Sequence, residues 1–198
     1  MKKINHIFYS LQGEGFHTGR PAVFIRFAGC NLRCSFCDTY FDDYREMSEA
    51  EIVSEAARHP ARFAILTGGE PSLQADEAFV ERLHAEGFTV AMESNGTHAV
   101  PQNLDWLTVS PKRPWHEGCE TAIGRHIDEL KVVFTDRTDP DKFLPPEGFA
   151  RPTLLFLQPC DTGDAAQNKR ITDQCIDYIK HHPEWRLSLQ THKLAGFE

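Results

Sequence analysis

The chain lacks any run of about 18 consecutive apolar residues, the length a bilayer-spanning helix requires, and residues 1–10 hold no apolar stretch of signal-peptide length. No membrane partner is expected, and the chain reads as cytoplasmic. Basic charge is also scarce: 21 Lys and Arg stand against 29 Asp and Glu, a formal net charge of -8. Binding to nucleic acid through its phosphates needs clustered Lys and Arg, so no nucleic-acid partner is expected and a small substrate fits better. Low-complexity tracts and repeats of solenoid period are missing too, which argues against disorder and against repeat architectures. At 198 residues the chain can bury a full core but is short for two domains of about 100 to 150 residues each. A single domain, residues 1–198, is expected.

What the sequence does hold is a series of short apolar runs rich in β-branched and aromatic residues, at 22–27, 63–67, 88–93, 106–109, 129–134, 153–158 and 186–190. These read as strands. Between the first two, Ser48 and Glu51 have the spacing of a capping box, and Ile52, Val53, Ala56 and Ala57 continue a helix to about His59, before Pro60. Phe79, Val80 and Leu83 form a second helical face, with Gly87 placed to end it in a left-handed cap. A third helix is expected over 171–182, stopped by Pro183. Charge and proline dominate 136–152, which suits an irregular surface connection. Helical signal is thin over 94–105 and 111–128, so some crossovers are expected to be loops. Strands alternating with helices imply right-handed crossovers and a mostly parallel α/β sheet.

The residues capable of chemistry cluster just past the C-terminal ends of these strands. Cys30 follows the first, Gly68, Gly69 and Glu70 the second, Glu93 and Asn95 the third, and Ser110 to Lys112 the fourth; Gln158 closes the sixth, and Gln190 and His192 end the seventh. In parallel α/β folds, that edge is where ligands bind.

Cys30, Cys34 and Cys37 have C-x3-C-x2-C spacing on one loop. A structural zinc site usually closes four protein ligands, whereas three thiolates on an iron-sulfur cube leave one iron open to an outside ligand. His17 or Cys119 could complete a zinc tetrahedron, so that alternative stays open. The remaining cysteines, Cys119, Cys160 and Cys175, are isolated from one another and read as buried small hydrophobes.

With Phe36 just before the third cysteine, and with Thr67-Gly68-Gly69-Glu70-Pro71 after the second strand, the chain resembles the radical S-adenosylmethionine (SAM) superfamily. The resemblance implies a four-iron four-sulfur cluster whose open iron chelates the methionine end of SAM, with the Glu70 carboxylate near the SAM ammonium. It also implies an incomplete parallel β/α barrel, because the proline-rich second half has too few crossover helices for eight full units.

Over nearly its whole length the chain further resembles the 7-carboxy-7-deazaguanine synthase family. Residues 8–15 are similar to that family's substrate-recognition segment, which assigns Leu11, Gln12, Gly13 and Glu14, together with Arg26 and Thr67, to the substrate. For Gly13 and Gly15 the plain alternative is a surface turn, and for Arg26 a structural ion pair. Thr39 matches a magnesium-binding threonine, although threonine hydroxyls commonly bond local backbone. Phe36, Cys37, Asp38, Gly69, Glu70, Ser110, Pro111, Lys112, Gln158, Pro159, Cys160 and Asp161 match cofactor-binding positions. Glu93 and His192 match substrate-side positions and are assigned catalytic roles, the alternative being structural hydrogen bonds. The loop between the first two cysteines is short, unlike the longer insertion of some relatives.

The resemblance implies a radical lyase that converts 6-carboxy-5,6,7,8-tetrahydropterin to 7-carboxy-7-deazaguanine, with Mg2+, an external electron donor and a homodimeric assembly. A radical SAM activase acting on a protein partner is one rival. A zinc-stabilised binding module without catalytic activity is the other.

Overall fold

The computed structural model describes residues 1–37, 39–40, 42–115, 126–146 and 151–198. Its centre is one sheet of nine strands in the order β3-β1-β2-β4-β5-β6-β7-β8-β9. The strands are β1 (Lys2–Leu11), β2 (Pro21–Phe27), β3 (Arg45–Met47), β4 (Phe63–Gly68), β5 (Thr89–Ser94), β6 (Trp106–Val109), β7 (Glu129–Phe134), β8 (Leu154–Pro159) and β9 (Trp185–Leu187). From β2 through β4 to β9 every neighbouring pair is parallel, whereas β1 runs antiparallel to both β2 and β3. The parallel strands follow one another in chain order, as in a barrel, but the edge strands β3 and β9 do not pair with each other. The barrel is incomplete, as expected.

Among the described residues four α-helices accompany the sheet: α1 (Glu49–Ala56), α2 (Glu77–Ala85), α3 (Ala165–His181) and α4 (Thr191–Ala195). The capping box that starts α1 is present, with the Glu51 amide donating to the Ser48 hydroxyl at 3.3 Å and the Ser48 amide to the Glu51 carboxylate at 2.7 Å. Gly87 follows α2 with φ +79°, the left-handed geometry that its position in the sequence suggests. Ile52, Val53 and Ala56 of α1, Phe79, Val80 and Leu83 of α2, and Ile171 and Cys175 of α3 pack on one face of the sheet against Val23, Ile25, Phe27, Leu66, Val90, Leu107, Leu130 and Leu157. This is the main core.

Strand alternation sends the intervening residues to the concave face, and along β2, β4 and β5 that face turns from apolar to polar. In β2 the inward residues run Ala22, Phe24, Arg26; in β4, Phe63, Ile65, Thr67; in β5, Ala91 then Glu93. The apolar lower rungs form a second small core with Phe8 and Trp106. The polar upper rungs are left for a ligand.

Several expectations are revised. β1 and β3 are additional strands. A bulge between Ile4 and His6 breaks the alternation of β1, so that Ile7 joins the main core and Phe8 the concave one. The last strand ends at Leu187 rather than Gln190, and Thr191 and His192 open α4 instead of closing a strand. The third helix begins at Ala165, capped by the Asp164 side chain on the Gln167 amide, six residues earlier than its apolar spacing indicates. Within 136–152 the structure places a short 3-10 turn, Pro140–Phe143. Among the described residues no helix is long and apolar enough to cross a membrane.

Candidate active site

At the C-terminal ends of the parallel strands lies a cleft of about 510 Å³, a size that accommodates small ligands. Cys30, Leu32, Cys34, Phe36 and Cys37 from the loop after β2 line one side. The Cys34 thiol is pushed up by burial, with Cys37 and Cys30 adding to the shift and Lys112 opposing it, so the three thiols and Lys112 share one neighbourhood. Among the described residues no three His, Cys, Asp or Glu side chains converge on a single metal-ion point. A cube of four irons has volume, and thiols spaced around its corners need no such convergence. His17, the candidate fourth zinc ligand, lies elsewhere, its ring packed against Phe63 and Trp106. Cys119 falls outside the described residues, as does Asp38.

The Gly-Gly-Glu segment after β4 is bound to the start of the cysteine loop. The Gly69 amide donates to the Phe27 carbonyl and the Glu70 amide to the Gly29 carbonyl, both at 2.9 Å. A Cβ on Gly69 would collide with that same Gly29 carbonyl, so the close backbone approach requires glycine. The Glu70 carboxylate, expected near the SAM ammonium, is held by protein donors. Its side chain does not line the cleft: it is 1% exposed and accepts hydrogen bonds from the Ser72 amide and hydroxyl, the Ser94 hydroxyl and the Asn95 amide. A carboxylate so engaged braces the loops after β4 and β5. Pro111 is likewise buried behind the cleft wall, between Ser110 and Lys112, which do line it.

Asn95 also donates to Asn31 at 3.0 Å and reaches Cys30 Sγ at 3.9 Å, while Asn31 donates to Thr97 at 2.8 Å. The segment after β5 thereby braces Cys30. Thr39 lies on the same wall, and its hydroxyl accepts from Arg26 Nη1 at 3.2 Å.

Leu11, Gln12, Gly13 and Glu14 cross the far side, joined by Thr67, Glu93, Gln158, Pro159, Cys160, Asp161 and His192. Gln12 Nε2 donates to Glu93 Oε1 at 2.7 Å, and Gln190 Nε2 to Glu14 Oε1 at 3.0 Å. The Thr191 amide and hydroxyl both donate to the Gly13 carbonyl at 2.9 Å, which seats His192 on Gly13. Asp161 accepts from the Gly163 amide, Lys193 and Asn168, contacts that hold its carboxyl down at about 2.

Among the cleft residues absent from the sequence candidates, one carries a buried charge. Lys131, in the middle of β7, is buried and donates to Glu14 Oε2 at 2.6 Å and Glu93 Oε2 at 3.3 Å. Its signal in the sequence is the Glu129-x-Lys131 pair, two charges at strand period inside an apolar run, which faces both toward the concave side. Burial pushes Glu14 up, but the Lys131 charge, with hydrogen bonds from Lys131, Gln190 and Gln158, outweighs it and brings the carboxyl down to about 2. For Lys131, burial disfavours the ammonium and Glu14, Glu93 and Glu129 more than reverse that, holding it well above the usual lysine range. Glu129 differs: burial dominates and pushes it up to about 7, against the pull of Lys131 and the Phe16 amide.

The chain has relatives among known proteins. Residues 24–111 match the model of the radical SAM superfamily. The chain is 50% identical to the 7-carboxy-7-deazaguanine synthase of Bacteroides thetaiotaomicron, over 98% of this chain and 97% of that protein. It is 41% identical to the synthase of Bradyrhizobium diazoefficiens over the same shares of each. The chain belongs to the 7-carboxy-7-deazaguanine synthase family. The crystal structure of QueE from Escherichia coli superposes with a TM-score of 0.79 at 30% identity, covering 95% of this chain and 93% of that one. As a member of the radical SAM superfamily, this synthase family uses a four-iron four-sulfur cluster and SAM. The residues present suit both: three thiols on one cleft wall, and a glycine-lined main chain against the loop that carries them.

Proposed function

We propose that this chain converts 6-carboxy-5,6,7,8-tetrahydropterin to 7-carboxy-7-deazaguanine, a carbon-nitrogen lyase reaction in the deazapurine route to queuosine. The observation that carries this reading is a single cleft lined both by Cys30, Cys34 and Cys37 and by Gln12, Gly13 and Arg26. Substrate equals product plus ammonia, so the ring contraction consumes no net oxidant and SAM can be regenerated. The bound cluster and SAM supply a 5′-deoxyadenosyl radical. The side chains must position the substrate, exclude water and manage protons.

Arg26 suits the pterin carboxylate, because a guanidinium offers two parallel donors to it. Thr39, already in contact with Arg26, is assigned the Mg2+. A divalent cation beside a guanidinium is tolerated when an anion lies between them, and the substrate carboxylate would be that anion. Across the cleft, Glu14 and Glu93 present oxygens to the N–H edge of the pterin, with Leu11, Gln12, Gly13 and Thr67 shaping its plane. His192 is placed to hold or move a proton at the substrate. Phe36, Gly69, Ser110, Lys112 and the Gln158 to Asp161 loop are assigned to SAM.

The whole chain acts as one domain in this reading, supported by the continuous sheet. The cluster needs an external electron donor, and the enzyme is assigned to the cytoplasm as a homodimer. An activase would need a mouth open to a protein partner; the small-molecule reading draws support from Gln12, Gly13 and Arg26 facing inward.

The test is anaerobic incubation of the reconstituted protein with SAM, Mg2+, a strong reductant and 6-carboxytetrahydropterin, followed by mass spectrometry. Formation of the deazaguanine carboxylate is expected. SAM cleavage without it would overturn the substrate assignment.

A further inference from the structure

In the cleft, the Lys131 ammonium stands among three carboxylates from three different parts of the chain. Glu14 comes from the segment after β1, Glu93 from β5 and Glu129 from β7, and Lys131 lies next to all of them. The pairing registers explain the meeting. Glu93 is opposite Thr108, and Thr108 is opposite Glu129, so the two glutamates share one row of the concave face and Lys131 rises one rung above it. A lysine side chain only 4% exposed is costly to bury without partners, and two of its N–H groups are spent on Glu14 and Glu93. Each of those carboxylates has its other oxygen held by an amide, Gln190 for Glu14 and Gln12 for Glu93. The result is a pair of acceptors with fixed direction and no freedom to turn, both facing the cleft.

We propose that Lys131 is a positioning residue for the substrate: it holds Glu14 and Glu93 as two oriented, ionised acceptors for the N–H groups of the ligand, and so sets specificity for a heterocycle with a donor edge. This rests on the pterin reading of the cleft. The alternative role for Lys131 is charge neutralisation in a buried site, with no influence on the ligand. The two differ in what they move. Neutralisation alone moves the fold's stability and the ionisation of Glu14, whereas positioning also raises KM at pH values well above the carboxylate range. The charged side chains that face Lys131 are Glu14, Glu93, Glu129 and Lys112.

The experiment compares wild type, Lys131→Met and Lys131→Met/Glu14→Gln, each with its cluster reconstituted. Lys131→Met is expected to keep cluster content, to raise the KM for the pterin about tenfold or more, and to move the acidic limb of kcat/KM upward by more than about one pH unit. The double variant has lost one charge of each sign, so it is expected to recover stability while KM stays raised. A folded Lys131→Met enzyme with unchanged KM and acidic limb overturns the proposal. If Lys131→Met fails to fold, the double variant decides, and wild-type KM in it overturns the proposal as well. Should wild type make no deazaguanine product, the substrate reading falls separately. Carboxyl titration by NMR then still tests Lys131, with a Glu14 titration unmoved by Lys131→Met counting against it.

Discussion

Arg26 and Thr39 are in hydrogen-bond contact, the guanidinium donating to the hydroxyl at 3.2 Å, although one belongs to β2 and the other follows the last of the three loop cysteines. The contact joins two assignments that the sequence treats as separate, a carboxylate clamp and a magnesium ligand. If both act on one substrate carboxylate, removing the hydroxyl should uncouple the metal without removing the clamp. Thr39→Ala is expected to lower kcat/KM by about ten- to a hundredfold and to make the residual rate insensitive to Mg2+, while Thr39→Ser restores both. Steady-state rates across a Mg2+ series check this. Full activity with full magnesium dependence in Thr39→Ala would refute it.

Glu70 separates two roles that a sequence motif alone leaves merged. Its carboxylate accepts from Ser72, Ser94 and the Asn95 amide at the junction of two loops. Glu70→Ala strands those donors, and a loss on the order of 3 kcal/mol of folding stability is expected in chemical denaturation. SAM affinity should fall only as the loops loosen. A variant that folds as firmly as wild type but no longer binds SAM would return the carboxylate to the cofactor.

Glu129 makes stability depend on pH in a direction unusual for a carboxyl. Burial raises its folded value to about 7, above the ordinary 4.5, so the folded state holds its proton over a range where the unfolded chain has released it. Stability from this group is fully present below about 4.5 and declines as pH rises toward 7. Glu129→Gln removes the decline and keeps an acceptor for the Phe16 amide, which lies 3.0 Å from the carboxylate. At pH 8 the variant is expected to be more stable than wild type by about 2 to 3 kcal/mol, and at pH 4.5 nearly equal to it. Denaturant midpoints at the two pH values test the sign, and an equal gain at both would exclude titration as the cause.

Features set by neighbouring residues were legible in the sequence. The Ser48 and Glu51 cap, the left-handed Gly87 and the three-cysteine loop depend on local spacing, and each has its expected form or place. What escaped depends on contacts distant in the chain. β1 carries a bulge that spoils its alternation, and the helix bearing His192 is set by Thr191 bonding back to Gly13, a partner far up the chain. Lys131 was hidden by its surroundings: an apolar run suggests a buried strand, and only the topology shows that carboxylates from β5 and the first loop meet it there.

The seat of His192 gives a prediction of its own. A Cβ built on Gly13 would overlap the His192 imidazole and press on its Cβ and Cγ at 3.1 Å, yet Gly13 is not among the glycines with positive φ, so the obstacle is steric. His192 cannot retreat freely, because Thr191 is tied twice to the Gly13 carbonyl. Gly13→Ala should therefore turn the imidazole or lift the start of α4. Gly19 is the opposite case, with φ +83° and nothing within 4 Å of a new Cβ. Gly19→Ala is expected to cost about 1 kcal/mol of stability through backbone strain and to leave KM unchanged. Gly13→Ala is expected to raise the KM for the pterin about tenfold while uncoupled SAM cleavage persists, since the cluster wall is untouched. If the two variants lose stability alike and neither changes KM, the seating of His192 on Gly13 has no part in holding the substrate.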